Sequence, residues 1–135
     1  MEEILKFLEE HRPFYLATID GAQARVRPMG FVMEFEGRLY FGAGNQKDVY
    51  RQMKANPQVE ISTTNSGVPE SPWLRLTGRV VFDDRPDLWA AALKIMPRLA
   101  DLYPETGEAR LAVFYLQEAE AVFYDMKGTV RRIKL

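Results

Sequence analysis

The sequence predicts one predominantly antiparallel β domain, a mainly β (α+β) fold over residues 1–135. Most apolar segments are short, tight turn signals separate them, and strands do not alternate regularly with helices as they do in a βαβ fold. A chain of this length has room for one core. About eight strands with a few helices favour a closed antiparallel barrel.

The first half of the chain predicts two helices and three hairpin-linked strands. Apolar residues recur at helical spacing before Pro13, which ends the first helix. Asp20-Gly21 and Glu36-Gly37 are hairpin turn signals, and Asn56-Pro57 ends the second helix. The predicted elements are a helix over 2–12, strands over 14–19, 23–35 and 39–41, and a helix over 47–55.

The second half predicts five strands and one interrupted helix. Period-two alternation marks the strand over 73–82, in which Gly78 indicates a bulge or a close approach. Asp83 to Pro86 cap a helix that Pro97 breaks and that continues briefly to Tyr103. The other elements are a strand over 59–63, a loop over 65–72, and strands over 111–117, 121–125 and 129–135.

Composition and charge argue against several classes of function. The formal net charge is −1 and the Lys and Arg residues are scattered, so we do not expect a nucleic-acid surface. The chain has no cysteine and only one histidine, His11, so we expect no metal site. An acidic amino terminus and the lack of an apolar run of about 18 residues predict a cytoplasmic protein without a membrane span.

Three cationic side chains indicate a site for a small anion. Lys47 falls in the first turn of the second helix, where a cation opposes the helix dipole unless an anion lies nearby. Arg25 and Arg27 project from one face of the second strand, and Pro28 beside them suits an edge, a bulge or a segment open to a ligand. Together they suit a phosphate monoester.

Each of these features also has a purely structural explanation. Asn45 can cap the second helix while Asp48 pairs with Lys47, and the two arginines can protect an exposed strand edge. The Gly-x-Gly of Gly42 to Gly44 lacks the third glycine of a dinucleotide fingerprint, so we set that interpretation aside. An apolar slot for a ring also needs aromatic walls. The candidates are Trp73, Tyr115 and Tyr124, although aromatic residues of this kind more often belong to a core or a subunit interface.

Over nearly its whole length the chain resembles the pyridoxamine 5′-phosphate oxidase-like superfamily of FMN-binding split barrels, and most of all its branch of small bacterial proteins. The order and spacing of several short segments carry the resemblance. They are Phe14 to Thr18, Arg25 to Met29, Gly37 to Phe41, Asn45 to Tyr50, Asn56 to Ile61 and Arg75 to Gly78.

The resemblance implies a six-stranded antiparallel split β-barrel with flanking helices and extra strands, assembled as a homodimer with FMN at the interface. It places the flavin ring beside Arg27 to Met29 and the phosphate near Gly42 to Lys47. Relative to the family pattern, Lys47 lies two residues further from Asn56-Pro57, and Gln52 follows it by five residues. The implied cofactor-binding residues are Arg25, Arg27, Pro28, Met29, Gly42, Ala43, Asn45, Gln46, Lys47, Gln52 and Trp73.

The implied function is that of an FMN-dependent oxidoreductase acting on a small molecule, with no residue marked as an obligatory acid or base. A deazaflavin cofactor and a non-catalytic flavin-binding module are the alternatives, and a barrel for single-stranded nucleic acid fits the charge poorly. The segment 129–135 lacks the family's arginine and histidine motif for vitamin B6, which argues against that substrate. The single histidine argues against haem handling and nitroimidazole reduction.

Overall fold

The computed structural model describes residues 1–135, which form mostly antiparallel sheet with four helices and so confirm the mainly β class. The helices are α1 (Glu2–Glu10), α2 (Asp48–Ala55), α3 (Pro86–Ile95) and α4 (Leu99–Leu102). The strands are β1 (Phe14–Asp20), β2 (Gln23–Met29), β3 (Val32–Phe35), β4 (Arg38–Gly44), β5 (Gln58–Thr64), β6 (Trp73–Phe82), β7 (Leu111–Asp125) and β8 (Gly128–Lys134).

The sheet is open, so the prediction of a closed barrel is wrong and the split barrel is the correct description. The strands follow the order β2-β1-β5-β6-β7-β4-β3, and β8 pairs with β7. The extended run expected over 23–35 is interrupted at Gly30 and Phe31, which separates β2 and β3 and leaves them at opposite ends of the sheet. Pro28, which has no N–H to donate, lies on the edge strand β2 as expected.

Strand β7 is one long strand, where the sequence predicted two. It pairs with β6 along most of its length, and the register shifts between Thr77 and Arg79. The irregularity includes Glu118 of β7, whose φ is 55°. A Cβ on Gly78 would lie 2.8 Å from the Leu116 Cβ, so the predicted close approach at this glycine is confirmed.

Two hydrophobic clusters lie on the two sides of β4 and β7. The first core contains Leu16, Phe41 and Phe114 together with α1 and the buried side of α2. The second core packs α3 and α4 against Tyr40 and Val113. We call the side of β1 and β2 that faces the first core the inner face, and the opposite side the outer face.

No helix of this fold combines the length and the hydropathy that crossing a membrane requires.

Candidate functional site

A polar network crosses the boundary between β1, β2 and α2 at the edge of the first core. Arg27 Nη1 donates to Thr18 Oγ1 at 2.6 Å, and Arg27 Nη2 donates to Gln52 Oε1 at 2.5 Å. The Thr18 hydroxyl donates to the same Gln52 oxygen at 2.7 Å. Thr18 and Gln52 are only 2% and 6% exposed, so the network is built into the fold.

Strand register and helix periodicity explain why these side chains meet. In the β1–β2 ladder Leu16 is opposite Arg27 and Thr18 is opposite Arg25, and alternation turns all four to the inner face. Gln52 lies on the buried side of α2 with Val49 and Met53. The guanidinium of Arg27 therefore reaches both Gln52 and, at 3.3 Å, the carbonyl oxygen of Leu16.

The charges of Arg25 and of Asp48, in the first turn of α2, both act on Arg27. Burial lowers the pKa of Arg27, the charge of Arg25 lowers it further, and the charge of Asp48 raises it. Arg27 remains a cation at neutral pH because an arginine is not deprotonated in proteins. Arg25 itself is half exposed, and its Nε donates to Asp20 at 3.2 Å. We call Thr18, Arg25, Arg27 and Gln52 the arginine cluster.

Neither the Asn45 cap nor the Asp48–Lys47 pair offered by the sequence is found at the start of α2. Lys47, not Asn45, is the N-cap residue, and no side chain caps the helix. Asp48 pairs with Arg51 at 2.8 Å rather than with Lys47. Lys47 is exposed and takes part in none of the chain's salt bridges. Asn45 instead holds the start of β7, because its Oδ1 accepts from the Arg110 N–H at 2.9 Å.

The glycine segment before α2 is strand rather than loop as far as Gly44. Gly42 and Ala43 are opposite Val113 and Ala112 in the β4–β7 ladder. A Cβ on Gly42 would lie 2.8 Å from Leu111 Cδ1, so the packing of β7 accounts for the absence of a side chain there. Only the exposed Gln46 and Lys47, with Asn45, form the connection to α2.

Trp73 is on the opposite face of the sheet from the arginine cluster. It is opposite Thr64 and Tyr124, and its ring stacks on Tyr124 with centroids 5.8 Å apart. At the end of β2, Pro28 is on the outer face opposite the exposed Tyr15. Met29 lies on the inner face and packs against the first core. The fold therefore brings Arg27 to Gln52, places Arg25 on the same face as Arg27, and keeps Trp73 apart from them.

One cleft lies beside Gln52 and another beside Trp73. A cleft of about 290 Å³ opens beside Gln52, between the β1–β2 turn at Asp20 and the helix α2 at Arg51. A larger one of about 750 Å³ lies at the other end of β1, lined by Trp73, Tyr15 and the segment 62–66. Only the smaller cleft adjoins the arginine cluster.

Sequence reasoning missed Thr18, the residue that joins Arg27 to Gln52. The sequence predicts a strand over 14–19, and Phe14 to Thr18 carry part of the family resemblance, but neither observation marks Thr18 as a site residue. The signal was present, because Phe14, Leu16 and Thr18 share the inward positions of this strand and Thr18 is the polar one. A polar side chain at an inward position needs a hydrogen-bond partner inside the protein.

Comparisons with known proteins identify a family and a similar solved structure. The model of the family described as pyridoxamine 5′-phosphate oxidase matches residues 1–124. A NimC/NimA family protein from Clostridium acetobutylicum has 41% sequence identity and a TM-score of 0.88, and the alignment covers 100% of this chain and 92% of that one. No curated protein matches the chain.

More distant structures share the fold at lower identity. A pyridoxamine 5′-phosphate oxidase-related, FMN-binding protein from Nostoc punctiforme has 17% identity and a TM-score of 0.63, over 91% of this chain and 79% of that one. General Stress Protein 26 from Bacillus anthracis has 14% identity and a TM-score of 0.70, over 99% of this chain and 97% of that one. At this level of identity these two likenesses concern the fold alone.

Proposed function

The chain belongs to the pyridoxamine 5′-phosphate oxidase family, and on that basis we propose that it binds FMN with the phosphate at the arginine cluster and the start of α2. The observation that carries the proposal is that Arg27 bonds to Gln52 of α2, a helix without a side-chain cap at its N-terminus, while Arg25 lies on the same face of β2. A phosphate monoester, with a charge of roughly −1.5 to −2, suits such a site.

The donors left over by the fold match the needs of a phosphate. Arginine has five N–H donors, and Arg27 uses three of them on Leu16, Thr18 and Gln52. Its Nε–H and one Nη2–H remain without a protein acceptor. Arg25 keeps both Nη groups free, and the uncapped first turn of α2 adds backbone N–H groups. The exposed Lys47 and Gln46 are at the same helix end.

We propose that the flavin ring extends along β2 toward Pro28 and Met29 and that the protein is a homodimer. The outer face carries exposed apolar side chains next to this strand, with Val26 68% and Tyr15 48% exposed. A contiguous apolar surface of this kind is typically covered by a partner, most often in a two-fold dimer. Covering the outer face places Trp73 at the interface, where the flavin ring is proposed to lie.

We propose further that the protein is an FMN-dependent oxidoreductase acting on a small molecule. The bound flavin supplies hydride or electron transfer, while the chain orients the ring and excludes water. No acidic or basic side chain of the arginine cluster is assigned a proton-transfer role. Deazaflavin is the alternative cofactor, because it also carries a phosphate and a flat tricyclic ring.

The absorption spectrum of the freshly purified protein tests the cofactor. We expect a flavin spectrum, or stoichiometric uptake of added FMN with quenching of its fluorescence, and mass spectrometry of the released ligand separates FMN from deazaflavin. A colourless protein that does not quench FMN fluorescence contradicts the proposal. Bleaching by a reduced nicotinamide, followed by reoxidation with candidate acceptors, tests the oxidoreductase role, and a flavin that is never reduced favours a non-catalytic binding module.

A further inference from the structure

The hydrogens of the network around Thr18 can be arranged in only one way. Arg27 has donors and no acceptor, so Thr18 Oγ1 accepts from it and must direct its own hydrogen elsewhere. The only other partner of Thr18 Oγ1 is Gln52 Oε1, which accepts at 2.7 Å. Gln52 likewise must present its oxygen, and not its amide nitrogen, to Arg27 Nη2.

This polarity fixes where the Gln52 amide nitrogen points. Both groups that bind Gln52 inside the protein, Thr18 and Arg27, use Oε1. Every fully buried side-chain nitrogen or oxygen of the chain has a hydrogen-bond partner, and Gln52 Nε2 has none, so Nε2 reaches the surface. Gln52 is one of the residues that line the cleft of about 290 Å³ between the β1–β2 turn and α2.

The hydrogen-bonding groups that Arg27 and Gln52 leave unused are therefore all donors, because both bonds to Gln52 use its oxygen and arginine has no acceptor. The unused groups are the Nε–H and one Nη2–H of Arg27 and the NH₂ of Gln52. A ligand with several acceptor oxygens and negative charge satisfies all of them, whereas a hydroxyl, which must also place its own hydrogen, satisfies them poorly.

From this geometry we propose that Thr18 is a positioning residue that orients Arg27 and Gln52 together, so that their free N–H groups recognise the phosphate of the flavin. The inference rests on the proposed function and deepens it. Thr18, at 2% exposure, acts through the two side chains that it holds. Its effect is therefore specific to ligands that carry the phosphate.

Replacing Thr18 with the nearly isosteric valine tests the proposal. Thr18→Val removes the hydroxyl that accepts from Arg27 and donates to Gln52, and we expect it to weaken FMN binding about tenfold, the effect of disturbing one charged hydrogen bond. Riboflavin, which lacks the phosphate, should bind Thr18→Val as it binds the wild type. Thr18→Ser, which keeps the hydroxyl, should restore most of the FMN affinity.

Thr63 provides the matched control. It is also a buried threonine, 7% exposed, and its hydroxyl donates to the His11 carbonyl oxygen at 2.7 Å, away from the cluster. Thr63→Val should leave the ratio of FMN to riboflavin affinity unchanged, even where it lowers stability. If Thr18→Val leaves the ratio of FMN to riboflavin affinity unchanged, whether neither affinity falls or both fall equally, the positioning role is overturned.

Inorganic phosphate separates failure of this inference from failure of the proposed function. In side-chain ¹⁵N spectra of the wild type, added phosphate should shift the Arg27 Nε and Gln52 Nε2 signals, and Thr18→Val should reduce those shifts. A wild type that binds phosphate in this way but neither flavin contradicts the cofactor assignment and supports the anion site. A wild type that binds FMN while both signals stay unmoved overturns the inference.

Discussion

Replacement of Arg27 by methionine is the most direct test of the phosphate site. Methionine keeps much of the apolar stem but removes all five N–H donors. Thr18 and Gln52 still bond to each other at 2.7 Å, so neither is left unsatisfied and the fold should survive with a loss of about 1–2 kcal/mol. A urea titration measures this loss.

The expected loss of FMN affinity follows from the two donors that Arg27 has free. A hydrogen bond to a charged group contributes about 1.5–3 kcal/mol, so two of them give roughly 3–6 kcal/mol. That corresponds to an FMN dissociation constant raised by about two to four orders of magnitude. Fluorescence quenching measures it, with riboflavin titrated in parallel as the ligand that should lose little.

Arg79 supplies the control for the general loss of a positive charge. It is an exposed arginine on β6, opposite Gln58, and it makes no salt bridge. Arg79→Met should bind FMN within about twofold of the wild type, because an exposed charge away from the ligand is screened by salt. FMN affinity in Arg27→Met equal to that in Arg79→Met would refute the assignment of the phosphate to the arginine cluster.

Three further predictions concern the cations Arg25 and Lys47, the proposed dimer, and stability at alkaline pH. Arg25→Ala combined with Lys47→Ala should weaken FMN binding by several kcal/mol if both contact the phosphate, and unchanged affinity by titration would place the phosphate elsewhere. Val26→Lys should shift light scattering at micromolar concentration toward the monomer, whereas Ile95→Lys, at an exposed helix end, should not. Burial raises the pKa of Tyr103 above the ordinary 10.0, so the folded state holds its proton more tightly and stability falls as the pH rises above about 10. Tyr103→Phe should flatten that fall in urea titrations between pH 8 and 11, and an identical slope in both proteins would contradict it.

The elements of the fold were predictable where the local signal is strong. Glycine and proline turns separated the hairpins correctly, and α2 begins one residue after the predicted 47. The predictions failed where tertiary contacts decide the outcome. The break expected between the runs 111–117 and 121–125 is a bulge in one strand, because β6 pairs with β7 on both sides of it. Likewise, closure of a barrel depends on whether the edge strands β2 and β3 meet, and alternation in sequence does not specify this.

In the candidate site, too, local sequence patterns predicted some features and tertiary contacts decided the others. Alternation was sufficient to place Arg25 and Arg27 on one face, and that prediction is confirmed by the β1–β2 register. The link to Gln52 was not predictable, because it depends on the packing of α2 against β1, through Thr18, a residue 34 positions away in sequence. Trp73 is a site candidate both as an aromatic wall and through the family resemblance, but the strand register places it on the other face of the sheet from Arg27.

The opposite orientations of Arg27 and Trp73 predict that binding of the proposed flavin depends on formation of the proposed dimer. A ligand anchored at Arg27 on the inner face can approach the outer face only around the free edge of β2, past Val26 and Pro28. A flavin that uses both faces therefore binds the proposed dimer better than a monomer, and its apparent affinity must rise with protein concentration. Val26→Lys should then weaken both dimerisation and flavin binding, whereas Arg27→Met should weaken flavin binding and leave the apoprotein dimer intact. Equal flavin affinity in the monomeric Val26→Lys protein and in the wild-type dimer would show that one protomer holds the whole cofactor.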